Sequence, residues 1–275
     1  MRALFRLKIL STFLRRFLAF FKKDLLIASS YKFNLIVQVF FVLIIVAIFY
    51  FLYLSLELDS TDSQENITNL LIGLSLIDFM MSAISVFARE VRLAQTLGTF
   101  ETLLLARASI FTILISSYSF TFMRTLFRVM IYLGISIFFL DINITILSLL
   151  MFLMIIILTS LSFIGLGLIR ASFIILFKHG DPLALIIAFS SAIFSGAFFS
   201  LSNLPQTLQN LTSYNPLKYS LEASNAVLLN FSSVQDITYE VIALINMIFL
   251  FLPLGIFLIY YAVRSSKKNG SLNHY

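Results

Sequence analysis

Six long apolar runs dominate this sequence, and each has about the 20 residues that a helix needs to cross the hydrocarbon core of a membrane. They cover residues 33–56, 70–88, 110–140, 145–169, 183–201 and 241–263. Hydrophobic residues make up 60% of the 275 positions and charged residues 12%, against roughly 45–50% and about 25% in soluble domains. The sequence therefore predicts an all-α integral membrane protein with six transmembrane helices.

Cysteine usage and the distribution of charge exclude several functional classes. The chain has no cysteine, which rules out disulfides, thiolate metal sites and cysteine catalysis. A net charge of +6 could indicate nucleic acid, but eight of the 19 Lys and Arg residues precede the first run, which favours a membrane surface. The first apolar run is long and lacks a small-residue cleavage site, so no cleavable signal peptide is predicted. We expect membrane lipid as a partner, no nucleic acid, and no metal or cofactor bound by this chain.

The connections between the runs alternate in charge. Basic residues lie in the N-terminal segment, in 89–107, in 170–181 and in the tail 264–275. The intervening connections are acidic or nearly uncharged; residues 57–69 carry four acids and no base, and Lys218 is the only base in 201–240. The positive-inside rule then places both termini in the cytoplasm, in a plasma or inner membrane.

Residues 1–32 have the pattern of an amphipathic helix. Apolar residues recur at helical spacing from Leu10 to Leu25, while Arg15, Arg16, Lys22 and Lys23 lie on the opposite face. Such a helix is expected to lie in the cytoplasmic interface; the alternative is a basic cluster that only sets orientation. We interpret the chain as one domain, 1–275, with this helix, a six-span bundle over 33–263 and a cytoplasmic tail from 264.

A short charged segment, residues 89–109, separates the second and third runs. An apolar stripe at helical spacing runs through it, formed by Leu93, Leu97, Phe100 and Leu104. Gly98 interrupts the stripe, Thr99 suits a helix N-cap, and Glu101 in the next turn favours the positive helix end. This pattern predicts an extension of the second span, a bend at Gly98 and a docking helix over 100–106, because an ordinary linker would not need the stripe.

The connection 201–240 is too long for a hairpin and too apolar for a free loop. Pro205 and the pair Asn215-Pro216 mark two turns. Residues 206–214 and 217–229 are predicted to form short helices that dip into the outer face or lie on it.

Three motifs in this order resemble those of the membrane-spanning subunit of ABC-2-type exporters. The first is Glu90 followed by GTFETLL at 98–104; the second is SGAFF at 195–199 followed by Leu204-Pro205; the third is NPLKY at 215–219. The chain departs from the family at 106–108, where Ala-Arg-Ala replaces a common Pro, and at Asn225, where the family often has Arg. With the six runs and the basic N-terminus, the resemblance covers nearly the whole chain.

The resemblance implies a passive conduit that is driven by a partner. Two such subunits would pair, and each would contact an ATP-binding subunit that holds ATP and Mg²⁺. Coupling to that subunit would involve Glu90, Gly98, Thr99, Phe100, Glu101, Leu104 and Arg107, and an extracellular lid would involve Gly196, Pro205, Asn215 and Pro216. The chain has no G-x-x-x-x-G-K-[ST] loop, so ATP hydrolysis is expected on a separate polypeptide and not on this transport subunit.

Three charges lie inside the apolar runs: Asp78 in the second, and Arg124 and Arg128 one turn apart in the third. A charge at mid-membrane costs about 2.5–3.5 kcal/mol and normally has a partner. We expect Asp78 to pair with Arg124 or Arg128 inside the bundle. The spare arginine could instead face the transport path and attract an anionic or phosphate-bearing substrate, or extend toward a surface.

Two other functions compete with the exporter. An ATP-independent secondary transporter or channel could use Asp78, Arg124 and Arg128, although no internal repeat supports it. A membrane enzyme acting on lipid would be expected to show clustered His or acidic ligands, and the sequence has no such cluster.

Overall fold

A computed structural model describes residues 2–30, 32–55, 63–99, 110–140, 145–177, 181–198, 201, 204–229 and 235–268. These residues form helices and turns, and none of the described residues lies in a strand. The helices are α1 (Arg2–Ser30), α2 (Lys32–Ser55), α3 (Ser63–Thr96), α4 (Ile110–Leu140), α5 (Ile146–Phe177), α6 (Pro182–Ile193), α7 (Gln206–Thr212), α8 (Pro216–Leu228) and α9 (Thr238–Lys268).

The main core lies between α3, α4 and α5. Phe79 of α3 and Phe163 of α5 are fully buried, and Phe79 packs against Phe122 of α4 with ring centroids 5.3 Å apart. Further along, Phe87 of α3 stacks on Tyr118 of α4 at 5.8 Å. Because the contacts advance along α3 while they recede along α4, the two helices are antiparallel.

Glycines bring α5 very close to its neighbours. A Cβ on Gly165 would lie 2.5 Å from the carbonyl oxygen of Phe251 in α9, and a Cβ on Gly255 would lie 2.9 Å from Leu168 Cβ. On the side facing α3, a Cβ on Gly167 would lie 2.5 Å from the Ala83 carbonyl oxygen. These contacts also show that α5 and α9 run parallel, because Gly165 lies against Phe251 and Leu168, further along α5, lies against Gly255, further along α9.

Four helical stretches are long and apolar enough to cross a membrane: Ile67–Thr96, Thr112–Ile137, Ile146–Phe177 and Thr238–Lys268. They lie on the second, third, fourth and sixth predicted runs. The stretches Ile36–Ile48 and Leu183–Ile193, on the first and fifth runs, are apolar helices of shorter length. The all-α membrane class is thus supported, with four candidate spans among the described residues.

The fifth predicted run, 183–201, is not one continuous helix. Helix α6 ends at Ile193, and a turn follows in which Gly196 has a φ of +84°. The Ser195 hydroxyl ends the helix locally, because it donates to the Ala192 carbonyl oxygen at 2.7 Å and accepts from the Ala197 N–H at 3.1 Å. Apolar composition alone could not reveal this break.

The N-terminal helix α1 packs along α4. Phe21 contacts Phe120 edge to face, with ring centroids 5.8 Å apart, while Arg15, Lys22 and Lys23 are exposed. The helix predicted over 1–32 is thus present at Arg2–Ser30, and its place in the membrane interface stays a prediction.

Candidate functional site

Asp78 and Arg128 form a bidentate ion pair between α3 and α4. Arg128 Nε donates to Asp78 Oδ2 at 2.6 Å, and Arg128 Nη2 donates to Asp78 Oδ1 at 2.7 Å. Nη2 also donates to Thr125 Oγ1 at 3.2 Å. The side chains are only 21% and 15% exposed. Of the two partners expected for Asp78, the structure selects Arg128, and both carboxylate oxygens are used.

Arg124, one turn before Arg128, faces a different space. Its Nε atom is buried and makes no hydrogen bond to any described residue. It lines a cavity of about 230 Å³ between α1, α2, α3 and α4. Lys23 and Asp24 of α1 and Arg89 and Glu90 of α3 supply the other charges of its wall. Arg124 is thus the spare arginine of the predicted set.

Helix α3 ends in a Schellman motif at the predicted bend. Gly98 has a φ of +65°, its N–H donates to the Gln95 carbonyl oxygen at 3.0 Å, and the Thr99 N–H donates to the Ala94 carbonyl oxygen at 2.9 Å. This hydrogen-bond pair with a left-handed glycine is the usual way to close a helix C-terminus. A Cβ at position 98 would meet no atom of the described residues within 4 Å, so the left-handed backbone conformation is the reason for glycine that this part of the structure shows.

Around this bend, Leu93 and Leu97 of the predicted apolar stripe are exposed. Glu90 is half-buried at the cavity, two turns before the end of α3. The Thr99 hydroxyl donates to the Ala94 carbonyl oxygen at 3.3 Å, so it contacts the preceding helix. Phe100, Glu101, Leu104 and Arg107, with the docking helix predicted over 100–106, lie outside the described residues.

An ion pair that sequence reasoning missed joins three helices near the same end of the bundle. Arg170 of α5 forms an ion pair with Asp181, the residue before α6. Arg170 Nε donates to Asp181 Oδ2 at 2.9 Å, and Nη2 donates to the same oxygen at 2.6 Å. Arg170 Nη1 reaches α3, where it donates to the Ile84 carbonyl oxygen and to Ser85 Oγ, both at 3.2 Å. The signal was a lone Arg near the end of an apolar run with an Asp directly before a helix-starting Pro.

Asn215 and Pro216 start α8 and attach it to α6. Asn215 Oδ1 accepts the Leu217 N–H at 3.1 Å as an N-cap, and Pro216 fills the first helical position. Asn215 Nδ2 donates to the Ser191 carbonyl oxygen at 2.8 Å, near the end of α6. Pro205, another predicted turn residue, directly precedes α7.

Helix α8 is packed deep among α3, α5, α6 and α9. Ser220 shares a 2.6 Å hydrogen bond with Thr159 of α5, and Asn225 Nδ2 donates to Asn69 Oδ1 of α3 at 2.5 Å. Burial raises the pKa of the Glu222 carboxyl on α8, and Lys218, 4.0 Å away, partly offsets this. The helices were expected from the turn signals, but these long-range contacts had no signature in the sequence.

The described part of the chain contains no group of three or more His, Asp or Glu residues that could hold a metal ion. A family model described as ABC-2 type transporter matches residues 15–229, well over half of the chain. No curated protein matched the sequence.

Proposed function

The chain belongs to the ABC-2 type transporter family, and on that premise we propose that it is the permease subunit of an ATP-driven exporter. It would pair with a second copy or a similar permease, and a separate ATP-binding subunit would supply the energy. The family match over residues 15–229 carries this proposal. The transport subunit itself is not catalytic, and ATP and Mg²⁺ would be bound by the partner chain.

The end of α3 supports a docking role for the segment after it. The Schellman motif at Gly98 stops α3 and turns the chain away from the helix axis. The segment that follows, 100–107, contains Glu101, Leu104 and Arg107, which we assign to the contact with the ATP-binding subunit. Exposed Leu93 and Leu97 extend this contact surface onto the last turns of α3.

The path from α5 to α9 supports an outer lid. Because α5 and α9 are parallel, the chain between them must return along the bundle. Helix α6 has 12 residues and so rises only about 18 Å, against the roughly 30 Å of a hydrocarbon core. The turn at Gly196 and helices α7 and α8 complete the return. We propose that these elements, with Pro205, Asn215 and Pro216, close the conduit on the extracellular side.

Exposed apolar faces support pairing with a second permease. Leu185, Ile186 and Phe189 of α6 are all more than 60% exposed. We propose that part of this apolar face of α6 contacts a second copy and that the rest contacts lipid. Six crossings, with both termini in the cytoplasm, follow if α2 and the α6 return each cross the membrane.

Copurification tests the proposal directly. The tagged full-length chain is coexpressed with a candidate ATP-binding subunit of an ABC transporter, and both the retained subunit and ATP hydrolysis in liposomes are measured. We expect Glu101→Lys to lower both, because it reverses a charge at the docking segment. Asp236→Lys makes the same reversal at an exposed site before α9 and should change neither. A chain that never retains an ATP-binding subunit would refute the proposal.

The same preparation separates the exporter from an ATP-independent transporter based on Asp78, Arg124 and Arg128. Asp78, the carboxylate that proton coupling would need, is held by Arg128 through both of its oxygens in a structural ion pair. We therefore expect transport into liposomes to require ATP and the partner subunit. Transport driven by a pH gradient alone would favour the alternative.

A further inference from the structure

We propose that the cavity between α1, α2, α3 and α4 binds the phosphate headgroup of a membrane lipid that also carries an amine, such as phosphatidylethanolamine. The cavity is lined by Arg89 and Arg124, which would hold the phosphate, and by Glu90, which would hold the ammonium group. This inference needs only that the chain lies in a membrane, so it does not depend on the exporter assignment.

The charges of the cavity leave an unmet need for an anion. Arg128 is fully engaged by Asp78, so that pair is internally neutral. Lys23 is likewise paired with Asp24, with 3.2 Å between Nζ and Oδ1. Arg124 has no such partner among the described residues, and its Nε is buried without a hydrogen bond. A buried guanidinium nitrogen without a hydrogen-bond partner is costly, and a phosphate is the anion that the planar donors of Arg fit best.

Neighbouring cations add to the need of Arg124 for an anion. Arg128 and Arg89 lie close enough to repel Arg124, and Asp78, which is bound by Arg128, attracts it more weakly. Arg128 is neutralised by its own partner, whereas Arg89 faces the same cavity as Arg124. An anion between Arg89 and Arg124 would turn this repulsion into two attractive contacts. Ser117 and Thr121, on the same wall of α4, add hydroxyl donors.

Size favours a headgroup over a large solute. The cavity holds about 230 Å³, which is below the roughly 300–1,000 Å³ of pockets that enclose drug-sized ligands. A phosphate joined to a short amine is of suitable size. Glu90 on the cavity wall then favours a headgroup with an ammonium group over a purely anionic one, because opposite charges are matched.

The surroundings favour a lipid over free phosphate. Ile27 of α1 lines the cavity with an exposed apolar side chain, and its chain neighbours Leu25 and Leu26 are exposed as well. Acyl chains attached to the bound headgroup would cover this apolar surface, and a free phosphate would leave it bare.

Native mass spectrometry of the purified full-length chain tests the proposal. The chain is mixed with dioleoyl phosphatidylethanolamine, dioleoyl phosphatidylglycerol or dioleoylglycerol, which share acyl chains and differ in the headgroup. We expect phosphatidylethanolamine to be retained best and dioleoylglycerol least. Arg124→Gln and Arg89→Gln should each lower retention about tenfold, because each removes a charge-assisted hydrogen bond to the phosphate.

Two further variants complete the design. Glu90→Gln should shift the preference from phosphatidylethanolamine toward phosphatidylglycerol, and Arg264→Gln, an exposed change on α9, should alter nothing. Arg89 is exposed, so its variant tests the site even where Arg124→Gln disturbs folding.

Three results would overturn the proposal. Equal retention of dioleoylglycerol would mean an apolar cleft only, and displacement of lipid by millimolar inorganic phosphate would mean a soluble-anion site. Unchanged retention in both Arg89→Gln and Arg124→Gln would mean that neither arginine binds the headgroup.

Discussion

At the residue scale, the two arginines of α4 have different environments although they lie one turn apart. Arg128 points at Asp78 and makes two short hydrogen bonds to it, while Arg124 lines a cavity walled by three other helices. Each residue of an α-helix is rotated by about 100° from the one before it, so two residues four positions apart differ by only about 40°. Arg124 and Arg128 therefore lie on nearly the same face of α4. Their different partners therefore come from the neighbours that each meets.

A double-mutant cycle measures the Asp78–Arg128 pair. Arg128→Gln or Asp78→Asn alone should each lower the free energy of unfolding by about 3 kcal/mol, because each leaves one buried charge without its partner. The double variant should lose clearly less than the sum, since two neutral amides can bond to each other. Unfolding of the purified protein by denaturing detergent gives these values. Simple additivity would show that the pair contributes no coupling.

The left-handed Gly98 permits a second residue-scale test. Gly98→Ala should destabilise the end of α3 by about 1–2 kcal/mol through backbone strain, because no atom of the described residues lies within 4 Å of the new Cβ. Hydrogen exchange should then be faster at Thr99, whose N–H is bonded to Ala94. Gly98→Asn should have a smaller effect, since Asn tolerates this conformation. Equal exchange in all three proteins would contradict the strain argument.

At the element scale, Asn215 joins the short helices α6 and α8. Neither helix propensity nor helix length would fix their relative position. Asn215→Ala removes both the cap of α8 and the bond to the Ser191 carbonyl oxygen, so we expect a loss of about 2 kcal/mol. Asn215→Ser keeps a cap and loses only the bond to α6, and should cost about half as much. Thermal unfolding in detergent ranks the variants; equal losses would mean that one of the two bonds contributes nothing.

The contact of α5 with α9 gives a matched pair of glycine variants. Gly165→Ala places a methyl group 2.5 Å from the Phe251 carbonyl oxygen and should destabilise the bundle by about 1–3 kcal/mol through overpacking. Gly134→Ala in α4 meets nothing within 4 Å and should be neutral, or stabilising by about 0.5–1 kcal/mol. Melting temperatures of both proteins test this. Similar shifts would show that backbone proximity does not control the α5–α9 packing.

At the scale of the whole molecule, the absence of native cysteine makes the orientation directly measurable. Single cysteines at Leu97 and Lys268 should be protected from a membrane-impermeant maleimide in intact cells, because the positive-inside rule puts both positions in the cytoplasm. Cysteines at Gln206 and Asp236 should be labelled. If the cysteines at Leu97 and Lys268 were labelled and those at Gln206 and Asp236 were protected, the topology would be the reverse of the predicted one. If only one cysteine of either pair were labelled, six crossings would be contradicted.

Much of the architecture could be predicted because it depends on local pattern. The apolar run at 110–140 coincides with α4, and the predicted helices at 206–214 and 217–229 appear as α7 and α8 with ends shifted by a residue or two. Helix type and position follow from hydrophobic length and from turn residues such as Asn215-Pro216, which act within a few residues of themselves. Helix α3 continues past the second run to the predicted bend at Gly98, whereas its start at Ser63 and the end of α5 at Phe177 lie outside the predicted runs.

The sequence by itself determined that this chain is an all-helical membrane protein of the ABC-2 type, since apolar length and local motifs carry that information. Only the tertiary structure decided that Asp78 binds Arg128 and that Arg170 joins three helices. It also decided that the helix in the fifth apolar run, α6, ends at Ile193 and that α8 is buried among the long helices. These outcomes depend on which side chains meet across helices far apart in sequence, and residue composition does not encode that proximity.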